Sequence, residues 1–403
     1  MKEDLDNIFD SFDKNRIFKD KFILQSNYQP EEILHRSEQI KQIASVLAPV
    51  LRGERTSNLF LYGKTGTGKT LAIKYLKGQL LKRANKNLDF GLRIEYLNCK
   101  LKKVSDTEYR ILAELVKKLG GDVPMTGLPT ESVYNKFIEI IDSEKQVILL
   151  VLDEIDQTVK KISDNFLYNL TRLNSELSKT QLCIIGISNN LTFLDEIDPR
   201  VRSSLSEEEI VFPPYNALQL QKILSERASM AFKKGVVENG VIAKCAAFAA
   251  REHGDARRAL DLLRIAGELA EREGAGKILL KHIDNANEKL ERDKILDVIR
   301  SEPKQFQFVL HAIINLCEQK KNDLVFTGDV YNYYQEVCLK NNSEILTQRR
   351  VGDIIQEFDM LGIINVRVIS KGRGGRMREI KLAITKNIIE KAKKIIEDSI
   401  NYC

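Results

Sequence analysis

The chain has 403 residues, more than one small core requires, and this length predicts two or three domains. Hydrophobic residues make up 43% and charged residues 30% of the sequence, a balance that excludes a wholly disordered or fibrous protein. The formal charge of +6 is too small by itself to indicate a nucleic-acid partner, so a functional basic surface has to be local.

The sequence favours an intracellular protein with no membrane segment. Its first residues, MKEDLDNIFD, are acidic where a secretory signal is basic and then apolar, and they predict a short helix or a partly ordered arm. No apolar run approaches the ~20 residues that cross a bilayer. The six cysteines are scattered and the four histidines lack ligand spacing, which favours reduced thiols and argues against a zinc site.

Helical and strand-like stretches alternate along the first half of the chain. A helical pattern covers 35–52, and the apolar run at 58–62 predicts a buried strand. Further helices are predicted at 69–83, 106–119, 132–143 and 164–178, and further strands at 92–99, 147–152 and 182–188. Apolar strands separated by helices are typical of a parallel sheet covered on both faces, so we predict an α/β domain.

A glycine-rich loop lies between the first predicted strand and the helix after it. It matches G-x-x-x-x-G-K-[ST] and comprises Gly63, Lys64, Thr65, Gly66, Thr67, Gly68, Lys69 and Thr70. Glycines let backbone N–H groups turn towards phosphate oxygens, Lys69 places a charge between the β- and γ-phosphates, and Thr70 offers a hydroxyl to Mg²⁺. With a strand before it and a helix after it, the motif predicts a nucleoside triphosphate site rather than a chance glycine-rich loop.

A second motif, VILLVLDEID, is a predicted strand that ends in acidic residues. Asp153 is the expected Mg²⁺ partner, and Glu154 is the expected general base for the attacking water. An apolar strand that ends in acids is common, so the interpretation depends on the glycine-rich loop upstream.

Two further polar positions are candidates for the same site. Asn189 ends the strand at 182–188, where its amide could orient a water, and Arg257 in the string GDARRAL could reach a γ-phosphate with its guanidinium. A simple asparagine turn and a solvated helix start explain these residues equally well in isolation.

The pattern changes after Pro213. Only helical periodicity follows as far as about Leu290, which predicts an all-α lid. Further helices and a strand–turn–strand at 364–369 and 377–383 then predict a winged helix. The predicted domains are therefore an arm and nucleotide-binding α/β domain at 1–212, a helical lid at 213–295 and a winged helix at 296–403.

The predicted winged helix carries the local basic surface. Six basic residues lie between Val366 and Lys381 against the single acid Glu379. The DNA-contact candidates are Lys371, Arg373, Gly374 and Arg376 in this hairpin, and Thr347, Gln348, Arg349 and Arg350 at the start of the preceding helix, whose first turn would read base edges. A solvated basic loop and a polar helix start are the alternatives.

These motifs together resemble an AAA+ ATPase, and four longer strings resemble the archaeal replication-initiator family. The strings are YQPEEILHRSEQI, ISNNLTFLDEIDPRVRSSL, FPPYNALQLQKILSERA and GDARRALDLLR, and the resemblance runs from about Tyr28 to the end of the chain. That family is related to the first subunit of the eukaryotic origin recognition complex and to the cell-division-control loader protein.

The resemblance implies several residue roles. It implies ATP or ADP with Mg²⁺ as the ligands. By position, Asn189 is sensor 1, Arg257 is sensor 2, and Tyr215 and Arg227 lie beside the nucleotide. In the family, a helical insertion in the ATPase domain also binds DNA. The matching segment here is Met125–Thr130, and its expected DNA-contact residues are Thr126, Gly127 and Leu128. By sequence alone this segment is an exposed loop. Related eukaryotic subunits carry an arginine finger where this chain has Ser204, with Arg200 and Arg202 as neighbours.

The expected function is an ATP-regulated initiator of DNA replication with slow hydrolysis as a switch. It would bind duplex origin DNA, help recruit or load the replicative helicase and interact with other initiator paralogues. The expected location is the cytoplasm, in association with the nucleoid. The alternatives are a nucleotide-gated signalling or transcription-regulatory ATPase with a winged-helix module, and a processive motor. The basic wing and the initiator-like strings favour the first reading.

Overall fold

The computed structural model describes residues 16–84, 90–100, 107–205, 207–319, 324–370 and 376–400. The chain forms two compact units, residues 1–283 and 284–403. None of the helices in the described ranges combines the length and apolar character of a membrane span. The three-domain division at 212/213 and 295/296 remains a proposal.

The first unit is built on a five-stranded parallel sheet. Its strands are β1 (Asn58–Tyr62), β2 (Gly91–Asn98), β3 (Gln146–Asp153), β4 (Thr180–Ser188) and β5 (Glu207–Val211). Their order across the sheet is β2-β3-β4-β1-β5, with every neighbouring pair parallel. Strand β3 is buried along its whole length, as expected of a strand covered on both faces.

Helices cover both faces of this sheet. They are Ser37–Leu47, Lys69–Ala84, Glu108–Lys118, Thr130–Ile141, Ile155–Ile162, Asn165–Arg172 and Pro199–Leu205. Successive side chains of β3 enter different cores, because side chains alternate across a strand: Leu150 packs in one cluster and Leu149 in the other. The predicted α/β fold is confirmed.

Three elements of this unit were missed by the sequence patterns. The helices Ile155–Ile162 and Pro199–Leu205 are only eight and seven residues long, too short to show a helical period. Strand β5 has the sequence EEEIV and lies at an edge of the sheet. Its glutamates give it no strand signature, and its pairing with β1 decides its conformation.

A helical lid follows the sheet within the same unit. Its helices are Ala217–Ala231, Val241–Arg251 and Ala256–Arg272. A further helix, Leu280–Ser301, spans the boundary between the two units. Asn216 and Gln219 form a capping box at the first lid helix, and Asp255 caps the third by accepting from Arg257 and Arg258 N–H groups.

Residues 16–24 cross the lid as a strap. The Phe18 ring centroid lies 4.8 Å from that of Phe232, and the Glu271 carboxylate accepts from the backbone N–H groups of Ile17 at 2.8 Å and Phe18 at 3.2 Å. Lys21 forms an ion pair of 2.6 Å with Glu268. The strap therefore leads the chain across the lid before the chain enters the sheet.

The second unit is a winged helix, as predicted. Its helices are Lys304–Gln319, Thr327–Lys340, Gln348–Met360 and Lys386–Ile400, and its antiparallel sheet has the order β6 (Val325–Phe326), β8 (Arg376–Leu382), β7 (Ile364–Ser370). The helices enclose a core in which Phe306 packs edge-on against Phe358 at 6.0 Å between centroids. The last helix and the short β6 were not predicted from the sequence.

Candidate nucleotide site and nucleic-acid interface

The glycine-rich loop, residues 63–70, turns between β1 and the helix Lys69–Ala84. Gly66 and Gly68 adopt φ of 73° and 94°, a left-handed region in which L side chains are strained. A Cβ on Gly66 would lie 1.7 Å from an Asp255 carboxylate oxygen, so the lid approaches the loop too closely for any side chain there. Both glycines are therefore required by the local geometry.

Lys69 is the buried cation of the loop. Its Nζ donates to the carbonyls of Gly63 at 2.5 Å and Lys64 at 2.9 Å and to Asn189 Oδ1 at 3.0 Å. Burial lowers the pKa of Lys69 to about 8; the Asp153 carboxylate opposes this shift and the Arg257 charge adds to it. Groups that follow β1 and β4, the last residue of β3 and Arg257 of the lid therefore all act on the Lys69 ammonium group.

Thr70 and Asp153 supply the oxygen donors. The Thr70 hydroxyl donates to Asp153 Oδ2 at 2.9 Å, and the Tyr96 hydroxyl on β2 donates to the same oxygen. Hydroxyl and carboxylate oxygens are the donors that Mg²⁺ prefers, and it is held in phosphate sites by few protein ligands. The residues present therefore fit the metal and the triphosphate that the loop predicts.

Glu154 directly follows β3 and has φ of 58° although it is not glycine. Residues held in this left-handed conformation cost free energy and often mark functional sites. Its Oε2 lies 3.5 Å from Nζ of Lys100, which follows β2 by two residues. The carboxylate is thus placed beside Asp153 at the edge where β1, β3 and β4 end, the position predicted for a general base.

A cleft of about 350 Å³ connects these groups with the lid. Its lining includes Lys69, Asp153, Glu154, Asn189, Tyr215, Arg227 and Arg257. The predicted nucleotide-site residues therefore line one cavity, apart from Gly63 and Lys64; the Lys64 ammonium is exposed and lies 3.3 Å from His253 Nδ1. Their individual roles remain predictions.

Tyr215 and Arg227 meet partners that the sequence did not reveal. The Arg36 guanidinium carbon lies 3.8 Å from the Tyr215 ring centroid, and the Arg227 guanidinium carbon lies 4.3 Å from the Tyr28 centroid. Such cation–π pairs are stronger where water is excluded, and Tyr215 and Arg227 are both buried. Arg36, Tyr28 and Tyr96 carry no motif by themselves, although Arg36 and Tyr28 fall in a string that resembles the initiator family.

Gly254 provides a stability test of the lid contact. It has φ of 68°, and a Cβ there would lie 2.3 Å from the Tyr215 carbonyl oxygen. We expect Gly254→Ala to lower the free energy of unfolding by about 2 kcal/mol more than Gly235→Ala, because overpacking adds to backbone strain. Gly235 is the matched control, with φ of 79° and open surroundings. Equal effects in thermal unfolding would show that the contact relaxes freely.

The arginine-finger candidates are paired within their own chain. Arg200 contacts Asp198 through Nε at 3.1 Å and Nη2 at 3.0 Å, and Arg202 Nη1 contacts Asp195 at 2.8 Å. Ser204 bonds to the Thr171 hydroxyl at 3.0 Å. The role of either arginine in a second subunit's site remains an open prediction.

The DNA-contact candidates at 347–350 lie on an exposed surface of the second unit. Thr347 caps the helix Gln348–Met360, and its hydroxyl accepts from the Arg350 N–H at 3.4 Å. Thr347, Gln348, Arg349 and Arg350 are all exposed, while Val351, Ile354, Ile355 and Phe358 of the same helix are buried. The helix therefore presents a polar, basic first turn to solvent.

The wing is seen only in part. Its strands pair from Ile364↔Leu382 to Ser370↔Arg376, and Arg367, Arg378 and Lys381 are exposed. The predicted contacts Lys371, Arg373 and Gly374 lie outside the described residues, and only the backbone of Arg376 is described. Thr126, Gly127 and Leu128 form an exposed loop between the helices Glu108–Lys118 and Thr130–Ile141 of the first unit, and their contact with DNA remains a prediction.

Family comparisons agree with this architecture along the chain. An AAA domain model matches residues 52–193, the Cdc6 AAA+ ATPase-type lid domain matches 221–288, and the CDC6 C-terminal winged helix domain matches 297–392. The ORC1-type DNA replication protein of Thermococcus onnurineus is 50% identical over 386 residues, 94% of this chain and 92% of that protein. The chain belongs to the ORC1-type DNA replication protein family.

Further relatives support this family assignment. The ORC1-type DNA replication protein 1 of Methanosarcina mazei is 48% identical over 396 residues, 98% of this chain and 94% of that protein. The Aeropyrum pernix ORC1 protein, solved in complex with DNA, is 40% identical, with a TM-score of 0.81 over 96% of this chain and 98% of that one. The Cdc6p structure from Pyrobaculum aerophilum, 20% identical with a TM-score of 0.58, shares the fold.

Proposed function

We propose that this protein is an ATP-regulated initiator of DNA replication that binds duplex origin DNA. The cleft supports the nucleotide part: Lys69 and the loop N–H groups bind phosphates, and Thr70 and Asp153 hold Mg²⁺, which supplies charge neutralisation when bound. Glu154 accepts the proton of the attacking water, Asn189 orients that water, and Arg257 reaches over the γ-phosphate from the lid. Tyr215 and Arg227 line the same cleft from the lid side.

One observation carries the DNA part of the proposal. The exposed, basic first turn at 347–350 belongs to a winged helix in a chain that is 40% identical, over 96% of its length, to a protein solved on DNA. The first turn of a recognition helix reads base edges, and basic residues on a wing bind phosphates. We assign the phosphate contacts to Lys371, Arg373 and Arg376 around Gly374, with a second contact through Thr126, Gly127 and Leu128.

The proposed test is protection mapping on the chromosome that encodes the protein, with ATP and with ADP. Protection of discrete sites that changes between the two nucleotides is expected of a nucleotide-switched initiator. Protection confined to promoters would favour a transcription-regulatory ATPase, and continuous ATP-driven movement along DNA would favour a motor. In the proposed function, hydrolysis is slow and ends the active state instead of driving movement.

Two pairs of arginine substitutions separate phosphate contact from base reading. Replacing Arg373 and Arg376 by Ala is expected to weaken binding to all duplexes and to flatten the log–log salt slope by up to ~2 units, at about 0.9 per phosphate contact. Replacing Arg349 or Arg350 is expected to reduce the preference for origin over random duplex instead, because base contacts carry sequence information.

Salt titrations with origin and random duplexes measure both effects. Arg300→Ala, an exposed arginine on the helix Leu280–Ser301, is the matched control. If the wing variants keep the parental DNA affinity and salt slope, the hairpin is a solvated basic turn that does not contact DNA. ATP binding is expected to persist in all of these variants, since the P-loop lies in the other unit.

The proposed partners follow from the same function. We propose that the bound protein helps recruit or load the replicative helicase and assembles with other initiator paralogues at the nucleoid, as the family resemblance implies. Co-sedimentation of helicase with origin duplex in the presence of ATP, lost when the protein is omitted, tests the first partner.

A further inference from the structure

Arg36 is a buried cation outside every motif assigned to the nucleotide site. It is 2% exposed, and its guanidinium donates to three backbone carbonyls and also hydrogen-bonds the Tyr215 side chain. Burial lowers the pKa of Arg36, yet a guanidinium stays protonated in proteins. A buried charge is costly unless hydrogen bonds and opposite charge compensate it. Its position therefore calls for a role.

One end of Arg36 fixes the glycine-rich loop. Its Nε donates to the Thr67 carbonyl at 2.8 Å, and its Cγ lies 3.8 Å from where a Cβ on Gly68 would be. A trans peptide is planar, so the Gly68 N–H points away from the Thr67 carbonyl and hence away from Arg36. A carbonyl bonded to a cation also polarises its peptide, which strengthens that N–H as a donor.

The other end of Arg36 holds the segment that enters the lid. Its Nη2 donates to the Pro213 carbonyl at 2.5 Å, and its guanidinium stacks on the Tyr215 ring. The Tyr215 hydroxyl lies 3.0 Å from where a Cβ on Gly68 would be, so the ring also covers the loop. The first lid helix begins at Ala217. One side chain thus joins the phosphate loop to the hinge of the lid.

We propose that Arg36 is a positioning residue for nucleotide binding: it orients the Thr67–Gly68 peptide towards the phosphates and locks the lid hinge to the loop. Because the same guanidinium bonds to the Thr67 and Pro213 carbonyls, loop order and hinge order depend on each other. The inference rests on the proposed nucleotide site and adds a residue that couples its two sides.

The experiment compares Arg36→Lys with Arg52→Lys. Lysine keeps the charge but loses the planar fork that reaches two carbonyls, whereas Arg52 is exposed and paired with Glu54 at 3.0 Å. ADP affinity is measured by calorimetry in EDTA, so that Thr70 and Asp153 do not contribute through a metal. We expect Arg36→Lys to weaken ADP binding about ten-fold or more, and Arg52→Lys to bind as the parent does.

Thermal unfolding distinguishes positioning from mere support of the fold. A positioning role predicts that the rise in Tm caused by saturating ADP shrinks in Arg36→Lys. An unchanged rise, or parental ADP affinity, would overturn the inference while leaving the nucleotide site intact. Failure of the parent protein itself to bind ADP would overturn the proposed nucleotide site and the inference with it.

A measurement on the parent protein keeps the inference testable if the variant does not fold. Hydrogen exchange is followed in peptides covering 63–70 and 211–219, with and without ADP. Linked order predicts that ADP protects both segments to a similar degree. Protection of 63–70 with no change at 211–219 would overturn the coupling.

Discussion

Lys69→Ala is expected to abolish measurable nucleotide binding while the protein stays folded. The ammonium is the cation of the loop, and its loss removes charge-assisted bonds that are worth about 3 kcal/mol or more, a hundred-fold or greater weakening. The fold is expected to survive because Lys69 lines an open cleft, where water can replace its bonds to Gly63, Lys64 and Asn189.

Calorimetric titration with ATP measures this effect, and thermal unfolding confirms that the variant is folded. Lys82→Ala is the matched control, because Lys82 is an exposed lysine of the same helix. A folded Lys69→Ala protein with parental ATP affinity would contradict the assignment of the loop.

Glu154→Gln is expected to have the opposite pattern, with ATP bound and hydrolysis nearly stopped. An amide has the size of the carboxylate but cannot accept the proton of the attacking water. General-base catalysis contributes about 10²- to 10⁴-fold, so the turnover rate is expected to fall by that factor. The exchange also removes the ion pair with Lys100, a contact that is exposed on the lysine side and of little weight for stability.

Phosphate release and ATP affinity are measured together for this variant. Glu176→Gln, at an exposed position of the same unit, is the control for replacing a glutamate. Turnover at the parental rate would remove Glu154 from the mechanism, and loss of ATP binding would show that its side chain holds the cleft in shape.

The phosphate-binding loop and the acidic residues of the candidate nucleotide site could be predicted from the sequence, because each is a short motif of residues that are close together in the chain. The loop at 63–70 and the acids after β3 follow apolar strands, and parallel strands end at one edge of a sheet. Their convergence around Lys69 follows from that topology. The fold class and the winged helix were predictable for the same reason, since each rests on local periodicity.

The contacts made by isolated residues could not be predicted. Arg36 reaches Thr67 and Pro213, which are 31 and 177 positions away in the chain, and Tyr96 reaches Asp153 across 57. Nothing in the neighbouring sequence marks these side chains as buried partners. The packing of the lid against the loop decides the role of Arg36, and the pairing of β2 with β3 brings Tyr96 to Asp153.

The acidic edge strand β5 has a consequence for the behaviour of the protein in concentrated solution. An edge strand offers unpaired backbone groups on which another chain could extend the sheet. Glu208 and Glu209 are exposed on β5, and Glu209 lies 3.8 Å from Arg202. Two copies brought edge to edge would place like charges against each other, so repulsion opposes the growth of intermolecular sheets. The same glutamates that gave this strand no recognisable sequence pattern thereby oppose aggregation at this edge of the sheet.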